Sequence, residues 1–279
     1  MNYLQQSLKR TFSGLRQHKF LFMITIISQM VFITALVYIG LTYQLKIVEN
    51  SQYILQAMDS AQYNAESLQQ GQPFVADYLQ LYQHYQTLIT VVIQAAIWLS
   101  GLFLTGMGVL WLFSHQIISP AISSWKRKLT LAGKEIIKII SAIIIFLAPI
   151  VLIGYWWLRS MVEPDPELIL SRLKIMGYLL LVTYYLLLVA LAFVSSGWKI
   201  WIKQFVKAVI KNIHKTLLVL LINATLMMGS LFLVYYSLEI IESFPLLVVA
   251  SILSLILMVL TRVWWIACLQ EITNEKSAP

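Results

Sequence analysis

The sequence predicts an all-α, polytopic integral membrane protein with six transmembrane helices, and three observations carry that prediction. First, its 279 residues are 59% hydrophobic and 11% charged, with a mean hydropathy of +0.78, whereas a soluble domain is about a quarter charged. Second, six apolar runs reach the roughly 20 residues a helix needs to cross the hydrocarbon core: 20–43, 88–113, 136–157, 175–195, 216–236 and 246–265. Third, the charges sort by side. With both termini cytoplasmic, the inner segments carry 16 basic and 3 acidic residues and the outer ones 4 and 9, as the positive-inside rule requires. The expected location is the plasma membrane.

Residues 1–19 form a basic leader, expected to be an interfacial helix at the cytoplasmic face. The run 20–43 is too long for a signal-peptide core, and no convincing small-residue cleavage site follows it. It reads as a retained signal anchor. Residues 44–87 form the one large outer segment. Ile47, Ile54, Met58, Ala61, Ala65 and Leu68 make a helical seam, Gly71-Gln72-Pro73 breaks it, and Phe74, Tyr78, Leu81, Tyr85 and Leu88 make a returning face. A helical hairpin follows, each arm extending a span, with outer faces rich in Gln, Tyr and Ser that could receive a protein partner or only tie spans one and two together.

The second span carries Ala96, Ser100, Gly101, Thr105, Gly106 and Gly108, small residues that let helices approach closely in lipid. Together with spans one and two the hairpin makes the segment 20–113. A second basic leader and spans three and four make 114–195, with Pro149 placed to kink the third span. The loop Glu163-Pro164-Asp165-Pro166-Glu167 reads as a solvated acidic turn. A lysine-rich leader and spans five and six make 196–267, and a cytoplasmic tail covers 268–279. Arg262 sits near the end of the sixth run, where it is expected to snorkel beside Trp264 and Trp265.

In the third leader, Lys199, Lys203, Lys207, Lys211 and Lys215 recur every fourth residue with no acidic residue among them. On one helix, four-residue steps drift about 40°, giving a slowly turning stripe. Trp198, Trp201, Ile202, Phe205, Val209 and Ile213 fall on the far side. Like charges at this spacing cost roughly 0.2–0.5 kcal/mol per pair, so the stripe calls for anionic lipid headgroups. A net charge of +8 lying beside apolar spans fits a membrane surface rather than nucleic acid. The leaders also suggest three copies of leader, span, outer turn and span: Thr11-x-x-Gly14 aligns with Thr130-x-x-Gly133, and His18-Lys19 with His214-Lys215. Mitochondrial carriers share a three-fold layout, but their Pro-x-Asp/Glu-x-x-Lys/Arg signature is absent from the odd spans, which excludes that family.

Polar residues inside spans are costly in lipid. Gln29 and Asn223 enter from the cytoplasmic side at depths that differ by about 3 Å at 1.5 Å per residue, close enough to bond. Gln94 enters from outside. Asn223-Ala224-Thr225 matches a glycosylation triplet but lies within a span.

Chemistry is sparsely provided for. Cys268 stands alone, excluding an intramolecular disulfide or a cysteine zinc site. His18, His84, His115 and His214 lack flanking carboxylates, and no protease, hydrolase, Walker or dinucleotide motif occurs. No catalytic residue, metal or cofactor is expected. Three functions follow: a non-catalytic membrane component binding anionic lipid and a partner; a permease-like carrier of a small or apolar solute without ion coupling; and a lipid-modifying enzyme.

Overall fold

The computed structural model describes residues 2–60, 78–119, 125–159, 166–239 and 243–274. Among these the chain is helical, with no strand: α1 (Asn2–Gln17), α2 (Lys19–Ser60), α3 (Tyr78–Ile118), α4 (Trp125–Arg159), α5 (Pro166–Ala192), α6 (Trp198–Val206), a π-helical turn (Lys207–Lys211), α7 (Ile213–Glu239) and α8 (Phe244–Asn274). Six of these (α2, α3, α4, α5, α7 and α8) are long and apolar enough to cross a membrane. The all-α, multi-pass expectation stands at that level. Several helices overrun the apolar runs that announced them. α2 continues past Tyr43 to Ser60, and α8 continues past Trp265 to Asn274.

The chain divides into two compact units, one formed by Met1–Gln29 with Met107–Pro279, the other by Met30–Gly106. In the smaller unit, α2 and α3 meet where the Phe32 ring fills the place a side chain at Gly106 would need. Farther along, the Asn50 Oδ1 lies 2.8 Å from the His84 ring nitrogen, Tyr53 donates to Gln80, and the Tyr53 and His84 rings stack 3.9 Å apart. Tyr85, expected on the inner face, is exposed, and the polar Asn50–His84 pair sits there instead. Ala61, Ala65, Leu68, the Gly71-Gln72-Pro73 break and Phe74 lie outside the described residues. Of the small residues in the second span, Ala96, Ser100, Gly101 and Thr105 are exposed, and Gly108, though buried, has no close neighbour. Only Gly106 acts as a packing notch among them, because a small residue admits a neighbour only on the face turned toward one.

The larger unit is built on the end of α5. From Val189 to Val194 that end is fully buried, and the last turn of a helix leaves carbonyls without intrahelical partners. Side chains from four other helices supply the donors. Trp265 of α8 donates to the Leu188 carbonyl at 3.0 Å and Trp201 of α6 to that of Ala190 at 2.7 Å. His115 of α3 donates to Leu191 at 2.8 Å, and Lys138 of α4 donates to Val194 at 3.0 Å and to Ser196. The lysine also places its charge at the negative end of the helix dipole.

α1 docks on α8. Tyr3, Ser7, Thr11 and Gly14 form its buried stripe, with Ser7 Oγ 3.0 Å from Cys268 Sγ and accepting from Trp264 Nε1 at 3.1 Å. Arg10 and Glu271 form a salt bridge at 3.3 Å beside them. The three leaders differ. His18 alone separates α1 from α2, the π turn and Asn212 separate α6 from α7, and the second leader runs into its span as one helix. The acidic loop at 163–165 lies outside the described residues.

The aligned glycines of the first and second leaders give a test. A Cβ at Gly14 would stand 2.6 Å from the Ile117 carbonyl oxygen, a backbone atom that cannot step aside, whereas Gly133 is open. Gly14→Ala is expected to lower the melting temperature of purified protein, at a cost of about 1–3 kcal/mol. Gly133→Ala should leave the melting temperature unchanged or raise it, with a gain in stability of up to about 1 kcal/mol. Paired thermal melts in detergent decide.

Candidate functional site

Two features of the larger unit hold the residues singled out by the sequence: the lysine-rich border and a cavity headed by Arg262. The border is not the single 18-residue helix expected. α6 ends at Val206, the chain widens into the π turn, closed by the Asn212 N–H donating to the Lys207 carbonyl at 3.1 Å, and Asn212 leaves helical geometry at φ −120°, ψ 26°. The cause lies in the partners of the inward residues: Ala208 and Asn212 are buried, and the Lys207 ammonium reaches the Thr273 carbonyl at the end of α8. Lys215 lies 5.3 Å from the centre of the Tyr3 ring. So two lysines of the stripe are engaged within the protein, contrary to the reading that the whole stripe lacks partners. Lys199, Lys203 and Lys211 are exposed.

The far side of the stripe divides between the protein and the surroundings. Trp201 is buried, but Trp198, Ile202 and Ile213 are exposed, as are Ile200, Val206 and Ile210. At about 100° per residue, α6 presents three arcs, with exposed Ile200 and half-buried Gln204 left on the side opposite Ile202. Trp201 and Phe205 turn toward the protein, Trp198, Ile202 and Val206 fall on the next arc, and Lys199 and Lys203 on the one after.

Gln29 and Asn223 each lie ten residues into their helices, α2 and α7, about 15 Å from the helix starts at 1.5 Å per residue. Both are buried. They do not bond to each other. Gln29 Oε1 accepts from Arg262 Nη2 at 2.6 Å, and Asn223 Oδ1 has no partner. Arg262, the partner of Gln29, shares a cavity lining with Asn223, and α8 runs twelve residues past it to Asn274. Gln94 is exposed on α3, and Pro149 is exposed on α4, which stays helical through it. Neither joins the cavity.

The cavity holds about 360 Å³ and is lined by residues of α3, α5, α7 and α8, among them Met107, Trp111, Tyr184, Asn223, Thr261 and Arg262. Three buried polar atoms of its lining residues have no partner: Arg262 Nη1, Trp111 Nε1 and Asn223 Oδ1. Arg262 makes no salt bridge with any described residue. No group of three or more His, Cys, Asp or Glu side chains placed to hold a metal occurs among the described residues. Comparisons with protein-family models, with curated proteins and with solved structures found no match.

Sequence reasoning placed Arg262, His115 and Lys138 at the borders and missed what each bonds to, and it did not single out Trp111. The one available signal was Ile266-Ala267-Cys268-Leu269, an apolar stretch that carries the sixth run past Trp265.

The different settings of the two glutamines are testable. Gln29→Leu removes an acceptor from a sheltered guanidinium and is expected to cost about 1.5–3 kcal/mol, the range for hydrogen bonds to charged groups. Gln94→Leu should change stability by less than about 0.5 kcal/mol. Denaturation of both variants in the same detergent reads the difference.

Proposed function

We propose that this protein is a non-catalytic, multi-pass membrane component that binds anionic lipid along its basic border, with a partner site on the outer segment. The observation that carries the reading is the three-arc division of α6. One side turns to the protein, the next presents exposed Trp198, Ile202 and Val206, and the next presents exposed Lys199 and Lys203. A helix lying where acyl chains meet headgroups needs those three surroundings in that order. In this reading the membrane is the plasma membrane, the termini and the basic leaders are cytoplasmic, and α2 and α3 extend outward as arms of a hairpin.

A permease-like role without ion coupling is the second reading, favoured by the cavity beside Asn223. It requires solute flux through protein reconstituted in vesicles. The lipid-modifying enzyme would require acid–base or metal chemistry at the border.

The exposed lysines carry the test. Each basic residue near an anionic surface contributes about 1 kcal/mol, so the triple change Lys199→Gln, Lys203→Gln, Lys211→Gln is expected to remove roughly 3 kcal/mol of preference for phosphatidylglycerol over phosphatidylcholine. Lys207→Gln should lower thermal stability and leave that preference nearly intact. Lipid association measured on purified protein by native mass spectrometry checks both. An unchanged preference in the triple variant refutes the proposal.

A further inference from the structure

The cavity beside α8 has a composition that the border does not explain. A buried cation is costly in lipid unless it is paired, and buried polar atoms in folded proteins nearly always have partners. Yet Arg262 uses Nη2 on Gln29 while its Nη1 is sheltered and unpartnered, and Trp111 Nε1, a donor on the same cavity lining, is also unpartnered. Two vacant donors, one of them cationic, with no carboxylate among the described residues bound to the guanidinium, are complementary to an oxyanion. Apart from Asn223, Tyr184 and Thr261, the remaining wall is apolar and adaptable, including Met107, Met227 and Met258. A volume near 360 Å³ falls within the range of about 300–1,000 Å³ usual for small-molecule sites.

The way in is lateral. Tyr184 of α5 is half-exposed and Ala224 of α7 is exposed, and both line the cavity. The Tyr185 hydroxyl lies 2.7 Å from Thr216 Oγ1, which ties α5 to α7 at the basic end of α7. Above that tie, the rim faces the surroundings of the apolar helices.

We propose that this cavity binds one anionic amphiphile, its carboxylate or phosphate head on Arg262 Nη1 and Trp111 Nε1 and its chain running past the methionines to the opening between α5 and α7. Asn223 Oδ1 accepts from a hydroxyl or water that accompanies the head. The site is separate from the border lysines and stands whether or not those bind lipid.

The probe is a diazirine-bearing palmitate in phosphatidylcholine nanodiscs with the purified full-length protein, compared with the same chain ending in an alcohol. Saturable labelling of one chain per protein, mapped to α5, α7 or α8, is expected with the carboxylate. Arg262→Gln is expected to weaken it at least about tenfold, the effect of losing one charge-assisted hydrogen bond. Ala224→Trp fills the rim without touching the guanidinium. It is expected to give the same loss at unchanged melting temperature, and so decides the matter if Arg262→Gln does not fold. Labelling in the triple lysine variant should match that of the native chain. Equal labelling by the alcohol, unchanged labelling in Ala224→Trp, or full displacement of palmitate by millimolar inorganic phosphate in the native protein each overturns the proposal. The last result would mark a site for a free anion.

Discussion

Everything in the larger unit depends on how the carboxyl end of α5 is satisfied. Its last turns are buried, where water cannot reach their carbonyl oxygens, and each unmet acceptor would cost about 1–3 kcal/mol. The donors come from Trp265, Trp201, His115 and Lys138, on four helices distant in sequence. Each bond fixes the height of one helix against α5, so one set of hydrogen bonds registers α3, α4, α6 and α8 together. In lipid, where apolar surfaces gain little by leaving solvent, such bonds and close packing specify which helices meet. The buried Trp201, anchored on Ala190, holds α6 in place, and the π turn takes up the residue by which α6 and the start of α7 would otherwise fall out of step.

The same physics accounts for what could be read from the residues alone. The six spans were legible because a membrane imposes length and apolarity on any helix that crosses it, and both are properties of a contiguous stretch. Their ends were not. Polar residues such as Ser114 and His115 read as a border in a linear scan but are packed inside, and α3 continues past them. The depth of Gln29 and Asn223 was also legible, since it follows from counting. The partner of Gln29 was not, since Arg262 lies on α8, more than 230 positions away in the chain. Lys138 looked like one more border charge, and only the buried carbonyls of Val194 and Ser196 give it a role. Gly14 and Gly133 align in sequence, yet one is pressed against a carbonyl and the other is open. Local similarity does not specify what stands opposite.

The two cationic features differ in kind. At the border, charge is dispersed over exposed side chains, interacts across high dielectric, and is weakened by salt within a Debye length of about 8–10 Å. Beside α8 a single guanidinium stands among apolar side chains, where one hydrogen bond counts for more and salt counts for little. The first arrangement suits a surface with many interchangeable headgroups. The second suits one occupant with a defined head. Neither needs a proton to move.

The docking of α1 on α8 has a consequence for biogenesis. Ser7 meets Cys268 and Trp264, and Arg10 meets Glu271, across more than 250 positions of chain. α1 emerges from the ribosome before every other described helix, and α8 emerges after them all. Until then Gly14 and Tyr3 have neighbours in α3 and α7, but Ser7 and Arg10 lack their partners on α8. Closure of this unit therefore waits for the synthesis of α8, and a nascent chain stalled before α8 would present an unclasped α1 to the quality-control machinery.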